Sequence, residues 1–187
     1  DRARGRRTAR QVDGRSLMPA LDIKCDHTHT RLMTVPLHVE LQQARPWDLI
    51  EEEVHVSIAR TAALLERAVS QTLKPHGLTP TQYNVLRILR GAGTEGLCRN
   101  EVGARLITPV PDVTRLLDRM AEMQLIERER SDEDRRLVRT FLTAKGLALV
   151  NGLDDELRAG HRQRLAKLDR KDLTQLVATL AEVRAGI

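Results

Sequence analysis

The sequence has few of the residues that form disulfides, aromatic cores or membrane spans. Aromatic residues are only 2% of the 187 positions, namely Trp47, Tyr83 and Phe141, whereas hydrophobic residues are 41%. The core must therefore be mainly aliphatic. Two cysteines, Cys25 and Cys98, are too few for a disulfide framework. No run of about 18 apolar residues is present, so we expect a soluble, cytoplasmic protein without a membrane span.

Motifs of common enzyme classes are also missing from the sequence. There is no GxSxG, HExxH, Walker loop or dinucleotide-binding fingerprint. Residues 25–29, CDHTH, offer the metal-capable side chains of Cys25, Asp26, His27 and His29, but they lack the distant second half of a structural zinc site. We therefore expect no enzymatic activity, no cofactor and no metal.

Positive charge is concentrated near the start of the chain. The net charge is +5, and residues 1–50 hold nine basic against six acidic residues, which leaves 22 against 20 for the rest. The body is nearly balanced, so a nucleic-acid surface there would have to be a local patch.

Residues 1–45 show no sustained hydrophobic period and contain several glycines and prolines, which predicts a disordered basic tail. The basic opening is followed by no apolar stretch of the kind found in secretory signals. The chain begins with Asp1, which suggests a fragment or a misplaced start, with Met18 or Met33 as alternative starts; whether residues 1–32 are native stays open.

From Glu51 onward, apolar residues recur every three or four positions and predict a long amphipathic helix that ends between Pro75 and Gly77. In the next segment, Thr79 and Gln82 form the pattern of a capping box, with a second helix expected to end at Gly91.

A short third helix is expected from about Cys98 to Arg105, and a fourth is expected to be capped by Thr108. In this fourth helix the apolar residues Val110, Val113, Leu117 and Met120 are predicted to face inward, opposite an outer polar face. Two short helices joined by a tight connection suggest a helix-turn-helix.

After Met123 the period changes to two, and the runs LIERER and LVRTFL predict a β-hairpin with residues 130–136, RSDEDRR, at its tip. A long helix is then expected from Thr143, followed by a last helix that is capped by Asp169.

Three segments together resemble the MarR family of winged helix-turn-helix transcriptional regulators: GLTPTQYNVLRIL, LCRNEVGARL, and VTRLLDRMAEMQLIERERSDEDRRLVRTFLTAKG. The resemblance covers about residues 50–187. It implies a mainly α fold with a two-stranded β wing and long N- and C-terminal dimerisation helices. On this basis residues 46–187 form the regulator domain, with the DNA-binding part at about 78–143 and dimerisation helices at about 50–75 and 144–187.

The resemblance implies a homodimer that binds a pseudo-palindromic operator in double-stranded DNA, with the fourth helix in the major groove and the hairpin tip in a minor groove. Asp134 maps to the acid that orients the inserted Arg136, and Arg135 maps to a phosphate contact. Together with residues placed by the helix pattern, the candidate DNA contacts are Arg99, Asn100, Thr108, Pro111, Asp112, Thr114, Arg115, Arg119, Asp134, Arg135 and Arg136.

The resemblance further implies a repressor that is released by a small-molecule effector, often an anionic phenol in this family. His55, Arg60, Tyr83 and Arg87 are candidate lining residues because of their places on the first two helices. The sequence departs from the family pattern at Gln124, where a glycine usually ends the recognition helix.

Two other functions remain open at this point. A winged-helix protein can serve as an interaction adaptor without specific DNA binding, because a fold does not by itself fix a function. A cysteine-based redox sensor is the second, although Cys25 and Cys98 lie away from the family's peroxide-sensing positions. The effector, the operator, the regulated genes and the choice between repression and activation are not readable from the sequence.

Overall fold

A computed structural model describes residues 35–130 and 138–187. The chain divides into two units, residues 1–47 and residues 48–187. In the first unit a short helix, α1 (Leu37–Glu40), lies within the segment for which disorder was predicted. Residues 1–34, which hold most of that segment and the CDHTH cluster, lie outside the described residues.

The second unit begins with the predicted long helix, α2 (Ile50–Leu73), whose first turn carries three glutamates that suit the positive end of the helix dipole. A 3₁₀ turn (Lys74–His76) then leads to Gly77 at φ 69°. No helix within residues 35–130 and 138–187 is both long and apolar enough to cross a membrane.

Helix α3 (Pro80–Ala92) starts as predicted. Thr79 Oγ1 accepts a hydrogen bond from Gln82 N at 3.2 Å, and Thr79 N donates to Gln82 Oε1 at 2.9 Å, which completes the capping box. The predicted end at Gly91 is wrong. Gly91 lies inside the helix, and the backbone instead turns at Gly93, which has φ 58°.

Helix α4 (Arg99–Arg105) is confirmed, but α5 (Val113–Glu122) begins later than predicted. Its cap is Asp112, whose Oδ1 accepts from Arg115 N at 2.9 Å, and not Thr108. The reason is that a residue before proline disfavours helical backbone angles, and Pro109 and Pro111 each follow such a residue.

The sheet has three antiparallel strands in the order β1-β3-β2, with β1 (Leu97–Cys98), β2 (Ile126–Arg130) and β3 (Val138–Leu142). The predicted hairpin of β2 and β3 is confirmed, with Arg128 opposite Thr140. Strand β1, which pairs with β3, was not predicted because two residues cannot show an alternating pattern.

After β3 the predicted long helix is divided into α6 (Ala144–Gly152) and α7 (Asp154–Arg164), with the break at Leu153. Gly152 is a poor helix former, and three acids at the start of α7 favour a new helix end there. Helix α8 (Arg170–Ala185) is capped by Asp169 as predicted.

The hydrophobic core is aliphatic and lies among α3, α4, α5, the sheet and α6 to α7. Its fully buried side chains include Leu86, Val102, Leu117, Met120 and Val150. Two of the four residues predicted to face inward from the fourth helix, Leu117 and Met120, are completely buried, and the other two are partly buried against the core.

Candidate nucleic-acid interface

The start of α5 and the start of α4 form the two walls of a polar groove of about 390 Å³. Helix α4 contributes mainly its N-terminal residues to this groove, and α5 contributes its cap and first turn. The groove brings together five of the predicted DNA contacts with Gly103 and Val113: Arg99, Asn100, Pro111, Asp112 and Thr114.

Two side chains connect the groove walls. Arg99 Nη1 donates to Thr114 Oγ1 at 3.4 Å, and Arg99 Nη2 donates to Asn100 Oδ1 at 3.0 Å. These contacts hold the guanidinium group of Arg99 beside the first turn of α5. A positive guanidinium group in this place suits a phosphate. Phosphate contacts fix the register of a protein on DNA.

Arg115 points away from the protein body. Its side chain is 89% exposed, and its Nε lies 3.2 Å from Asp112 Oδ2. Asp112 therefore both caps α5 and forms a surface ion pair with Arg115. Arg119 is exposed one turn further along the same helix.

The C-terminal end of α5 is closed by backbone hydrogen bonds around Gln124. Gln124 has φ 59°, Leu125 N donates to Met120 O at 3.0 Å, and Gln124 N donates to Ala121 O at 2.8 Å, which is a Schellman ending. The position where the family usually has glycine thus keeps the left-handed backbone that glycine favours.

The LTAKG segment supplies further hydrogen bonds to this end. Thr143 Oγ1 donates to Gln124 O at 2.8 Å, and Lys145 Nζ donates to Met123 O at 2.8 Å. A Cβ on Gly146 would lie 2.0 Å from Leu125 O, so only glycine permits this close approach. The resemblance of the LTAKG segment to the family pattern therefore has a physical basis. Its side chains donate hydrogen bonds to carbonyl groups at the end of the recognition helix.

An ion pair between Asp118 on α5 and Arg128 on β2 joins the recognition helix to the hairpin. Sequence reasoning missed this pair, because the pairing depends on how α5 packs on β2. The tip residues Asp134, Arg135 and Arg136 lie outside the described residues, so their roles stay predictions.

A separate cavity of about 350 Å³ lies between α2, α3, α7 and the connection from α4 to α5. Of the predicted ligand residues, Tyr83 and Arg87 line it, whereas His55 and Arg60 lie elsewhere on α2. Thr108, predicted to contact DNA, lines this cavity and not the groove. His161 and Asn84 also line it, and sequence reasoning did not select either.

The ionisable groups of the cavity leave one lining residue of each charge sign. Partial burial, with the guanidinium groups of Arg164 and Arg87, lowers the pKa of His161. Burial raises the pKa of Tyr83, although Arg87 opposes this shift. Tyr83 and His161 are therefore neutral near pH 7, which leaves Arg87 and Glu66 as charged lining residues.

Arg90 joins α3 to the start of α7. Its guanidinium donates to both carboxylate oxygens of Asp154 at 3.1 Å and to Asn151 Oδ1 at 2.9 Å. The hydrogen bonds from Arg90 hold the pKa of Asp154 below its usual value. The pair links α3 to the break between α6 and α7.

The described helices and strands define the class of winged helix-turn-helix proteins, with α4 and α5 as the helix-turn-helix and β2 and β3 as the wing. A profile of the MarR family matches residues 76–137. The chain is 31% identical to the uncharacterized HTH-type transcriptional regulator YkoM of Bacillus subtilis, over 73% of this chain and 90% of that protein. It therefore belongs to the MarR family, and it is a DNA-binding transcriptional regulator.

Solved structures agree with this assignment. The MarR transcription factor of Planctomyces limnophilus is 31% identical, with a TM-score of 0.56 over 73% of this chain and 98% of that one. The transcriptional repressor CouR, solved bound to a 23-mer DNA duplex, is 25% identical, with a TM-score of 0.66 over 76% of this chain and 99% of that one. The predicted winged helix-turn-helix fold is confirmed, with β1 as an added strand.

Proposed function

We propose that this chain is a homodimeric, cytoplasmic repressor that binds a pseudo-palindromic operator in double-stranded DNA and is released when a small molecule occupies the cavity. The observation that carries the DNA-binding part is the groove, because it gathers five predicted contact residues around the start of the recognition helix. Recognition helices contact bases mainly through their first turns.

The proposed division of labour follows the exposure of side chains. Arg115 and Arg119 are exposed on one face of α5 and can reach base edges or phosphates, while Arg99 and Asn100 on α4 face phosphate. Residues 78–143 make the DNA-binding part, and residues 50–75 and 144–187 make the dimer contacts. We assign no catalytic role to the chain.

Repression is the sense of regulation that the relatives favour. One of them, the homoprotocatechuate degradative operon repressor of Escherichia coli, is 29% identical over 59% of this chain and 73% of that protein. The cavity offers an aliphatic wall, with the cation Arg87 on α3 and the acid Glu66 on α2, and a small ring compound whose anionic group contacts Arg87 would fit it.

The test begins with duplexes selected by the protein from a random library, which supply an operator without knowledge of the regulated genes. Fluorescence anisotropy on the selected duplex should show tight, salt-dependent binding. Arg115→Ala should weaken it roughly 5- to 150-fold, as expected for loss of a base contact. Arg45→Ala, which removes the same charge at an exposed residue outside the segments assigned to DNA and dimer contacts, is the matched control and should bind like the wild type.

Selection that enriches no duplex would contradict the proposal and favour the adaptor function. Release is tested separately by adding salicylate, a phenolic anion, and related carboxylates to the complex. Arg87→Ala should reduce the response to such anions without weakening DNA binding. Equal responses of the wild type and Arg87→Ala would remove Arg87 from the effector site.

A further inference from the structure

The connection between α4 and α5, residues 106–112, determines where the recognition helix begins. Leu106 is buried at its start, and Val110 packs against the core near its end. Between them, Ile107 is 83% exposed. Side-chain packing therefore does not fix the backbone at Ile107, and another contact must do so.

That contact comes from α3. The backbone N–H of Ile107 donates a hydrogen bond to Asn84 Oδ1 at 2.9 Å. Asn84 is half-buried and sits between the capping box and the buried residues Val85 and Leu86. It is therefore presented by one of the most firmly packed helices of the protein, which makes it a fixed reference point for the connection.

The same asparagine lines the cavity, and Ile107 and Thr108 line it as well. One short segment, the connection between α4 and α5, thus contributes to both the cavity wall and the groove, and the hydrogen bond lies on this segment. Pro111 and Asp112, five residues or fewer beyond Ile107, already line the groove. Because so few residues separate Ile107 from α5, a shift of the backbone at Ile107 should also move the start of that helix.

We propose that Asn84 is a positioning residue for DNA recognition: its side-chain carbonyl holds the connection at Ile107, and occupation of the cavity weakens this hold and so moves the start of α5. This inference rests on the proposed function and deepens it, because it names the contact through which the cavity and the groove are coupled. Asn84 itself contacts no DNA.

The first experiment measures the hold directly by amide hydrogen exchange in residues 106–112. Asn84→Ala removes the acceptor, so the Ile107 amide should exchange roughly fivefold faster or more. Asn84→Asp keeps an acceptor oxygen and should retain the wild-type exchange rate. Asn151→Ala is the matched control, since Asn151 Oδ1 also accepts a side-chain bond but lies far from the connection in sequence and contacts Arg90.

The second measurement is affinity for the selected duplex. Asn84→Ala should bind about three- to tenfold more weakly, because part of the binding energy must now order the connection. Exchange is the deciding measurement for Asn84→Asp, since its added negative charge weakens DNA binding on its own. Unchanged exchange in Asn84→Ala, or faster exchange with unchanged affinity, would overturn the proposal.

The coupling to the cavity can be tested without knowing the effector. Ala62 on α2 lines the cavity, so Ala62→Trp fills it with an indole ring. This variant should speed exchange at residues 106–112 and weaken DNA binding, and it should add little in an Asn84→Ala background. Ala63→Trp, one position along the same helix, is the control for the added bulk, and sedimentation confirms the oligomeric state of each variant.

Full additivity of Ala62→Trp and Asn84→Ala would overturn the coupling, as would an Ala62→Trp variant that matches the wild type. If the wild type binds no duplex, both the proposed function and the role of Asn84 in recognition fail. If the wild type binds the duplex and the Asn84 variants match it in both exchange and affinity, the proposed function stands and this inference alone is wrong.

Discussion

The winged part, which we define as α3 to α7 and the sheet, buries its apolar side chains, whereas the outer helices α2 and α8 leave theirs exposed. Helices α3 to α7 and the sheet supply nearly all of the buried core, whereas α2 contributes only Leu73 and α8 contributes no buried residue. The outer helices instead expose large aliphatic side chains: Ile50, Val54, Ile58, Leu64 and Leu65 on α2, and Leu176, Val177 and Val183 on α8. The winged part thus buries its apolar side chains within one chain, while the outer helices leave an apolar surface that the proposed dimer would cover.

The largest effect is expected where the winged part is most tightly packed. Leu117 on α5 is completely buried. Leu117→Ala should lower the free energy of unfolding by about 2–5 kcal/mol, because it removes buried methyl groups and leaves a cavity. Urea denaturation measures the change. Ile187→Ala, at a fully exposed residue, should stay within about 0.5 kcal/mol of the wild type.

A charge on the outer helices should break the dimer and spare the winged fold. Leu176→Asp places a carboxylate on the exposed stripe of α8, and an unpaired buried charge costs several kcal/mol, so dimer affinity should fall at least about 100-fold. Leu180→Asp should act alike. Analytical ultracentrifugation at micromolar concentration checks this, with Gln175→Asp as the control. A wild-type monomer under these conditions would refute the dimer.

A smaller loss is expected from the wing tip. Arg136→Ala should cost on the order of 1–3 kcal/mol per subunit in operator binding, most at narrow A·T-rich minor grooves, and Asp134→Ala should cost less. Each lost phosphate contact flattens the slope of log K against log salt by roughly 0.9, or twice that in a symmetric dimer. Anisotropy across a salt series measures both quantities. Wild-type binding by Arg136→Ala at every salt concentration would contradict the predicted role of the tip.

The smallest effect is a gain. Gln124 has φ 59°, a left-handed backbone that costs a non-glycine residue about 1 kcal/mol. Gln124→Gly should therefore stabilise the fold by up to about 1 kcal/mol, which thermal denaturation can detect. Glu122→Gly, two residues earlier and inside the helix, should destabilise by a similar amount. A loss of stability in Gln124→Gly would indicate that the Gln124 side chain makes contacts worth more than the strain.

Sequence patterns predicted the elements whose signals are local. The capping box at Thr79, the helix start at Thr143 and the cap at Asp169 were correct, because a helix start needs only its own turn of helix. The predicted cap at Thr108 failed because two prolines delay the helix to Asp112. The end at Gly91 failed because a second glycine, Gly93, was available for the left-handed turn.

Contacts between distant segments could not be predicted in the same way. Asp118 and Arg128 are ten residues apart, but their pairing depends on how α5 packs on β2. Asn84 and Ile107 meet only because α3 passes beside the connection. Likewise, Tyr83 and Arg87 line the cavity while His55 and Arg60 do not, because helix periodicity does not show which turns of α2 face α3 and α7.

The two ends of α5 differ in how they are fixed, and this gives the recognition helix the mechanics of a lever. Its C-terminal end is a pivot, held at Met123 and Gln124 by Lys145 and Thr143. Its ten residues span about 15 Å, so a tilt of about 10° around that pivot displaces the first turn by roughly 2.6 Å. Hydrogen bonds to bases tolerate only a few tenths of an ångström, so a rotation of this size would break the base contacts proposed for the first turn.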